Sequence, residues 1–159
     1  MEHDLSHVPV TPQWAITTGG IGYWSVIWAV LLFLATFFLC VFPKTRNSKL
    51  GNWTFTAATL LVFTAFSSLA TLFLTDQFAY RYIRNHSELK NEVYYKFASV
   101  WSGQEGSFLL WLTASSLFAL LALRGTGKFR AGYLSACSLI LATIGGMLYR
   151  ESPFWLTYF

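Results

Sequence analysis

The sequence predicts an all-α integral membrane protein with four transmembrane helices, a long outer loop between the second and third, and both ends on the outer, non-cytoplasmic side. Three observations lead there. Of 159 residues, 55% are hydrophobic and only 11% charged, whereas a soluble domain carries about 25% charged residues. Four long runs contain no Asp, Glu, Lys or Arg. The first and third connections between those runs carry basic residues and no acid, whereas the second carries both signs.

Residues 21–42 and 53–74 are uncharged over 22 residues each. At 1.5 Å per residue, about 20 residues cross a hydrocarbon layer of roughly 30 Å. Residues 107–123 and 131–148, 17 and 18 long, are also uncharged and are expected to extend about a turn into their flanks. Helices are required because in lipid only a helix satisfies its own amides, and the run Leu31-Leu32-Phe33-Leu34 lacks the alternation of a barrel strand. Residues 21–148 thus form the membrane domain. A polar outer arm, 1–20, precedes it; Glu2, Asp4, Pro9 and Pro12 set it apart from a cleavable signal peptide. Residues 149–159 are an outer tail.

Lys44, Arg46 and Lys49 separate the first two helices, and Arg124, Lys128 and Arg130 the last two, with no acid in either connection. Basic loops stay in the cytoplasm, which gives N-out, C-out. The net charge of +4 is distributed over short loops rather than clustered on a solvated face, which argues against a nucleic-acid partner. Cys40 and Cys137 lie in apolar runs and form no C-x-x-C, so neither a dithiol motif nor a haem-attachment motif is present. Within the four spans there is no Asp, Glu, Lys, Arg or His, which disfavours a channel or transporter.

Thr64, Ser67, Ser68 and Thr71 share one face of the second helix and are expected to pack against a neighbouring helix; Gly145 and Gly146 suggest a close helix contact in the fourth. The outer loop, 75–106, is long enough to expect function. Val93, Phe97 and Val100 recur at helical spacing with Lys90, Glu92 and Lys96 elsewhere on the wheel. An interfacial amphipathic helix over 89–100 is therefore expected, with Tyr94, Tyr95 and Trp101 at headgroup level. Ser102-x-x-Glu105 has the form of a capping box opening the third helix. Local signals leave Gly103 and Gly106 unexplained, and glycines there allow a helix or a flat ligand to come close.

Asn85-His86-Ser87, Tyr95-Lys96-Phe97-Ala98 and then Trp101-Ser102-Gly103-Gln104-Glu105-Gly106-Ser107-Phe108-Leu109-Leu110-Trp111 together resemble the CcmF-type haem lyase family of cytochrome c maturation. The resemblance is nearly complete over about 27 residues. It implies the N-terminal piece of a split or truncated CcmF-like subunit, scaffolding delivery and ligation of haem to apocytochrome c on the outer face of a bacterial or mitochondrial inner membrane. It also implies a longer protein, whose tryptophan-rich outer segment and histidines hold haem b, and partners that include a haem chaperone and other membrane subunits. In the family, His can stand where this chain has Gln104, and Gln ligates iron poorly.

His3, His7 and His86 all lie in polar flanking segments. No catalytic or metal-binding residue is assigned, and the chain alone is expected to bind no haem and to catalyse nothing. Candidates near a shared haem site are His86, Trp101, Gln104, Glu105 and Trp111; the candidate interface is Tyr95, Trp101, Gly103, Gln104, Glu105 and Gly106. The alternative is a non-catalytic accessory subunit of a respiratory or photosynthetic membrane complex.

Overall fold

The computed structural model describes residues 11–46, 48–86 and 92–156. Its helices are α1 Gln13–Val41, α2 Leu50–Leu74, α3 Arg81–His86, α4 Val93–Ser99, α5 Gln104–Ala122 and α6 Arg130–Arg150. The four long helices, α1, α2, α5 and α6, are each apolar and long enough to cross a bilayer. The protein is a multi-pass helical membrane protein.

Each long helix outruns its uncharged core. α1 begins at Gln13, inside the segment read as an arm, because the Pro12 carbonyl accepts from the Ala15 and Ile16 amides. The Thr17 and Thr18 hydroxyls then bond back to the Gln13 and Trp14 carbonyls, so polar residues continue the helix with their hydroxyl protons paired.

α1 packs on α2 and α6, and α5 packs on both of those from the other side, giving a closed ring of four antiparallel neighbours. Phe33 of α1 meets Phe55 of α2 edge to face at 5.4 Å. Lipid provides no hydrophobic drive between helices, so close approach and interhelical hydrogen bonds must hold them. The Thr36 and Thr54 hydroxyls bond at 2.7 Å between α1 and α2. At Gly145 a Cβ would stand 2.5 Å from Val30 Cγ2, so the expected close contact is made there, whereas Gly146 faces open space.

The hydroxyl face expected to pack is not the packed one. Thr64, Ser67 and Thr71 are exposed and only Ser68 is buried. Thr64, Ser68 and Thr71 each bond to the carbonyl four residues before. α2 instead buries Phe55, Ala58, Val62, Ala65, Leu69 and Leu72.

One end of the bundle carries Lys44, Arg46, Lys49, Arg124, Lys128 and Arg130; the described acids, Asp76, Glu92, Glu105 and Glu151, are all at the other, where the glycine motif lies.

Candidate functional site

The described residues between α2 and α5 fold back over their end of the bundle as a packed cap. α2 stops where Asp76 takes a left-handed turn, φ 56°. The Asp76 carboxylate then meets the Lys96 ammonium at 2.6 Å and ties α4 to the end of α2. Next, Tyr80 donates its hydroxyl to the Ala15 carbonyl at 2.9 Å and bridges antiparallel to Leu156. The Arg81 amide donates to the Trp155 carbonyl at 3.1 Å. The Phe154 ring lies against Gly22, where any Cβ would overlap it. Residues 154–156, after α6, are thereby stitched into the same cap.

At the centre of the cap lies Tyr82. Its hydroxyl donates to the Val100 carbonyl and accepts from the Gly103 amide, both at 3.1 Å. Its ring meets Phe73 edge to face at 5.4 Å. Burial pushes its phenol above the ordinary tyrosine range and the nearby Glu105 carboxylate adds to this, while the glycine amides pull the other way. His86, one turn on, tilts against Tyr82 with ring centroids 4.5 Å apart. Its Nδ1 stands 2.9 Å from the Tyr82 carbonyl. A carbonyl only accepts, so Nδ1 carries a proton.

This arrangement accounts for the paired glycines. A Cβ at Gly103 would stand 2.6 Å from His86 Nε2 and 2.7 Å from Tyr82 Cε2; at Gly106 it would overlap the Val100 carbonyl oxygen and the Tyr82 hydroxyl. The expected close approach is real, and what approaches is α3 and the turn before α5.

The structure brings His86, Gly103 and Gly106 together. Glu105 stands in the first turn of α5, half-buried and close enough to Tyr82 to influence its titration, while Gln104 is exposed beside it. Trp101 is half-buried, 5.2 Å edge to face from Phe97. Tyr95 on α4 and Trp111, seven residues into α5, point outward and do not join the cluster.

Two expectations are corrected. Ser102 is no cap: Gly103 occupies the N-cap position, and the Ser102 hydroxyl bonds to the Ser99 carbonyl at 2.9 Å. The Ser107 hydroxyl bonds instead to the Trp101 carbonyl. The amphipathic reading of 89–100 is also reversed in part. α4 buries Lys96 and exposes Val93, Tyr94, Tyr95 and Phe97, because Asp76 offers Lys96 a partner on the inner side. Leu89 and Lys90 fall outside the described residues, as do Ser87, His3 and His7.

Sequence reasoning missed Tyr80, Tyr82, Asp76 and Phe154. One signal was present: Gly19 and Gly22 lie three apart on α1, and each faces one ring of the cap, Tyr80 and Phe154.

A haem iron takes at least one axial ligand, most often His, Cys, Met or Tyr. Among the described residues the one histidine is His86, packed against Gly103 and Tyr82, and no group of three His, Cys, Asp or Glu could hold a metal ion.

The chain is 35% identical over 142 residues to the cytochrome c-type biogenesis protein NrfE of Haemophilus influenzae, a match covering 78% of this chain and 22% of that protein. It is 45% identical over 47 residues to the cytochrome c-type biogenesis protein CcmF of Pseudomonas fluorescens, covering 30% of this chain and 7% of that protein. The solved structure of the cytochrome c haem lyase CcmF matches it with a TM-score of 0.74 and 25% identity, over 96% of this chain and 26% of that one. No protein-family model matches. The chain thus spans about a quarter, or less, of the length of these relatives.

Proposed function

Because this chain belongs to the CcmF-type family of cytochrome c biogenesis proteins, we propose that it serves cytochrome c maturation as a scaffold portion of a haem lyase. Four helices anchor it in a bacterial inner membrane, and its cap contacts the portion of the assembly that carries the tryptophan-rich segment and the haem. There the vinyl groups of haem join the thiols of the apocytochrome, and this chain positions rather than catalyses.

The observation that carries the reading is the seat formed by Tyr82, His86, Gly103 and Gly106. The motif that resembles the family is the one this seat holds rigid. Rigid first turns suit a docking rim, since less side-chain and backbone freedom is lost on contact. Trp101, Gln104 and Glu105 are displayed on that rim, and an indole there can stack on a porphyrin edge or a partner ring. The two short connections at the opposite end carry six cations and no acid, which supports a motif end facing outward.

The test is reconstitution in a bacterium lacking its own CcmF-type proteins. The chain and the haem-bearing portion are expressed singly and together, and haem-stained holocytochrome c is quantified. Both are expected to be required. Trp101→Ala and Glu105→Gln should lower the yield at unchanged membrane levels. Equal holocytochrome c from the haem-bearing portion alone would sink the proposal.

A further inference from the structure

The end of the bundle opposite the motif holds three adjoining clefts, of about 570, 340 and 170 Å³, and Asn52 and Arg130 line all three. Arg124 stands at the first, Lys49 at the second, and Arg46 and Lys128 at the third. A preference for cytoplasmic cations explains their sign. It does not explain why loops from both connections converge on one pair of residues. The Arg130 Nε donates to the Asn52 carboxamide oxygen at 3.2 Å, a bond from α6 to α2 that orients the guanidinium within the clefts. The sequence has no acid from residue 5 to 75 or from 106 to 150. No carboxylate on these loops therefore competes for the cations.

The surroundings are apolar in the way a lipid requires. Leu120 and Leu121 wall the first cleft, and Trp53 borders the second. Trp53 and Phe129 are 71% and 70% exposed at this end, and Phe118 lies exposed one turn along α5 from Leu121. A soluble anion would use the cations and leave this apolar strip without a role. A phospholipid uses both, its phosphate at the cations and an acyl chain along Phe118 and Leu121. From this juxtaposition we infer that the clefts around Arg130 and Asn52 are a binding site for the phosphate headgroup of an anionic phospholipid, seated between α2, α5 and α6.

The whole chain, purified in a neutral detergent, is titrated with dioleoyl phosphatidylglycerol and separately with dioleoyl phosphatidylcholine, and bound lipid is counted by native mass spectrometry. Phosphatidylglycerol is expected to be retained about tenfold more strongly. Arg124→Gln with Arg130→Gln should abolish that preference. Lys49→Gln with Arg124→Gln leaves the Arg130–Asn52 bond in place and should likewise remove most of the preference, with the helical content unchanged. Lys44→Gln, outside these clefts, should leave it as it is. Equal retention of the two lipids, variants that bind as the parent does, or displacement of the lipid by millimolar inorganic phosphate would each overturn the assignment.

Discussion

The Tyr80 hydroxyl rests on the Ala15 carbonyl at 2.9 Å, joining residues 65 apart in the chain, and it reaches that carbonyl by lying across Gly19. The cap is thereby fastened to the first turn of α1. Gly19→Val would drive a side chain into the Tyr80 ring, an overpacking that costs about 1–3 kcal/mol. Tyr80→Phe removes one hydrogen bond and costs about 1 kcal/mol. Thermal unfolding in detergent should rank the two in that order, and a Gly19→Val variant as stable as the parent would refute the contact.

Gly103 and Gly106 are not equivalent. At Gly103 an added Cβ meets two side chains, His86 and Tyr82, while at Gly106 it meets the Val100 main-chain carbonyl. A side chain yields more readily than a backbone. Gly106→Ala is therefore expected to destabilise more than Gly103→Ala. His86→Ala should partly rescue the second variant and leave the first unchanged, and rescue of both alike would contradict the geometry.

Burial holds the phenols of Tyr80 and Tyr82 above the ordinary tyrosine value. In the unfolded chain these groups lose their protons near pH 10. The native state therefore binds more protons than the unfolded state from about pH 10 upward, and stability must fall with rising pH across that window. Below it the contribution is complete. Unfolding measured from neutral to strongly alkaline pH should show this fall, shallower in Tyr82→Phe. An unchanged slope in that variant would exclude Tyr82 as a source.

The Asp76–Lys96 pair has side chains 26% and 11% exposed, respectively. Removing one partner of such a pair strands a charge in poorly solvated surroundings, at a cost on the order of 3 kcal/mol. Lys96→Met and Asp76→Asn should each destabilise α4, and the double variant should lose less than the sum. Strict additivity in a double-mutant cycle would show that the two charges are not coupled.

Orientation is testable by labelling. With Cys40 and Cys137 replaced by Ala, a cysteine placed by Ser102→Cys should react with an impermeant maleimide in intact spheroplasts. One placed by Lys128→Cys should react only after lysis. The opposite pattern would invert the topology and, with it, the proposed docking rim.

The spans were legible because uncharged runs of 17–22 residues leave lipid burial as their one good solution. Their ends were less so. α1 starts eight residues before the run 21–42, where Thr17 and Thr18 return their hydroxyls to their own helix and Tyr80 packs from 65 residues away, and neither feature reads as helix in the sequence. In the cap, local pattern competed with distant partners and lost. Lys96 turned inward for an acid 20 residues away, and Gly103 received its partner Tyr82 from 21 residues away. The stretch around Glu105 was identified as special from the family resemblance, with the two glycines as a further signal; what the glycines accommodate was a tertiary fact.

The outward hydroxyls of α2 carry a last consequence. Thr64 and Thr71 return their protons to their own helix, at 3.0 and 2.8 Å. A companion helix laid along those two positions would find hydroxyl oxygens able to accept but no proton on offer. Recognition there would then favour a neighbour that brings its own donor, and one presenting acceptors alone would fit less well.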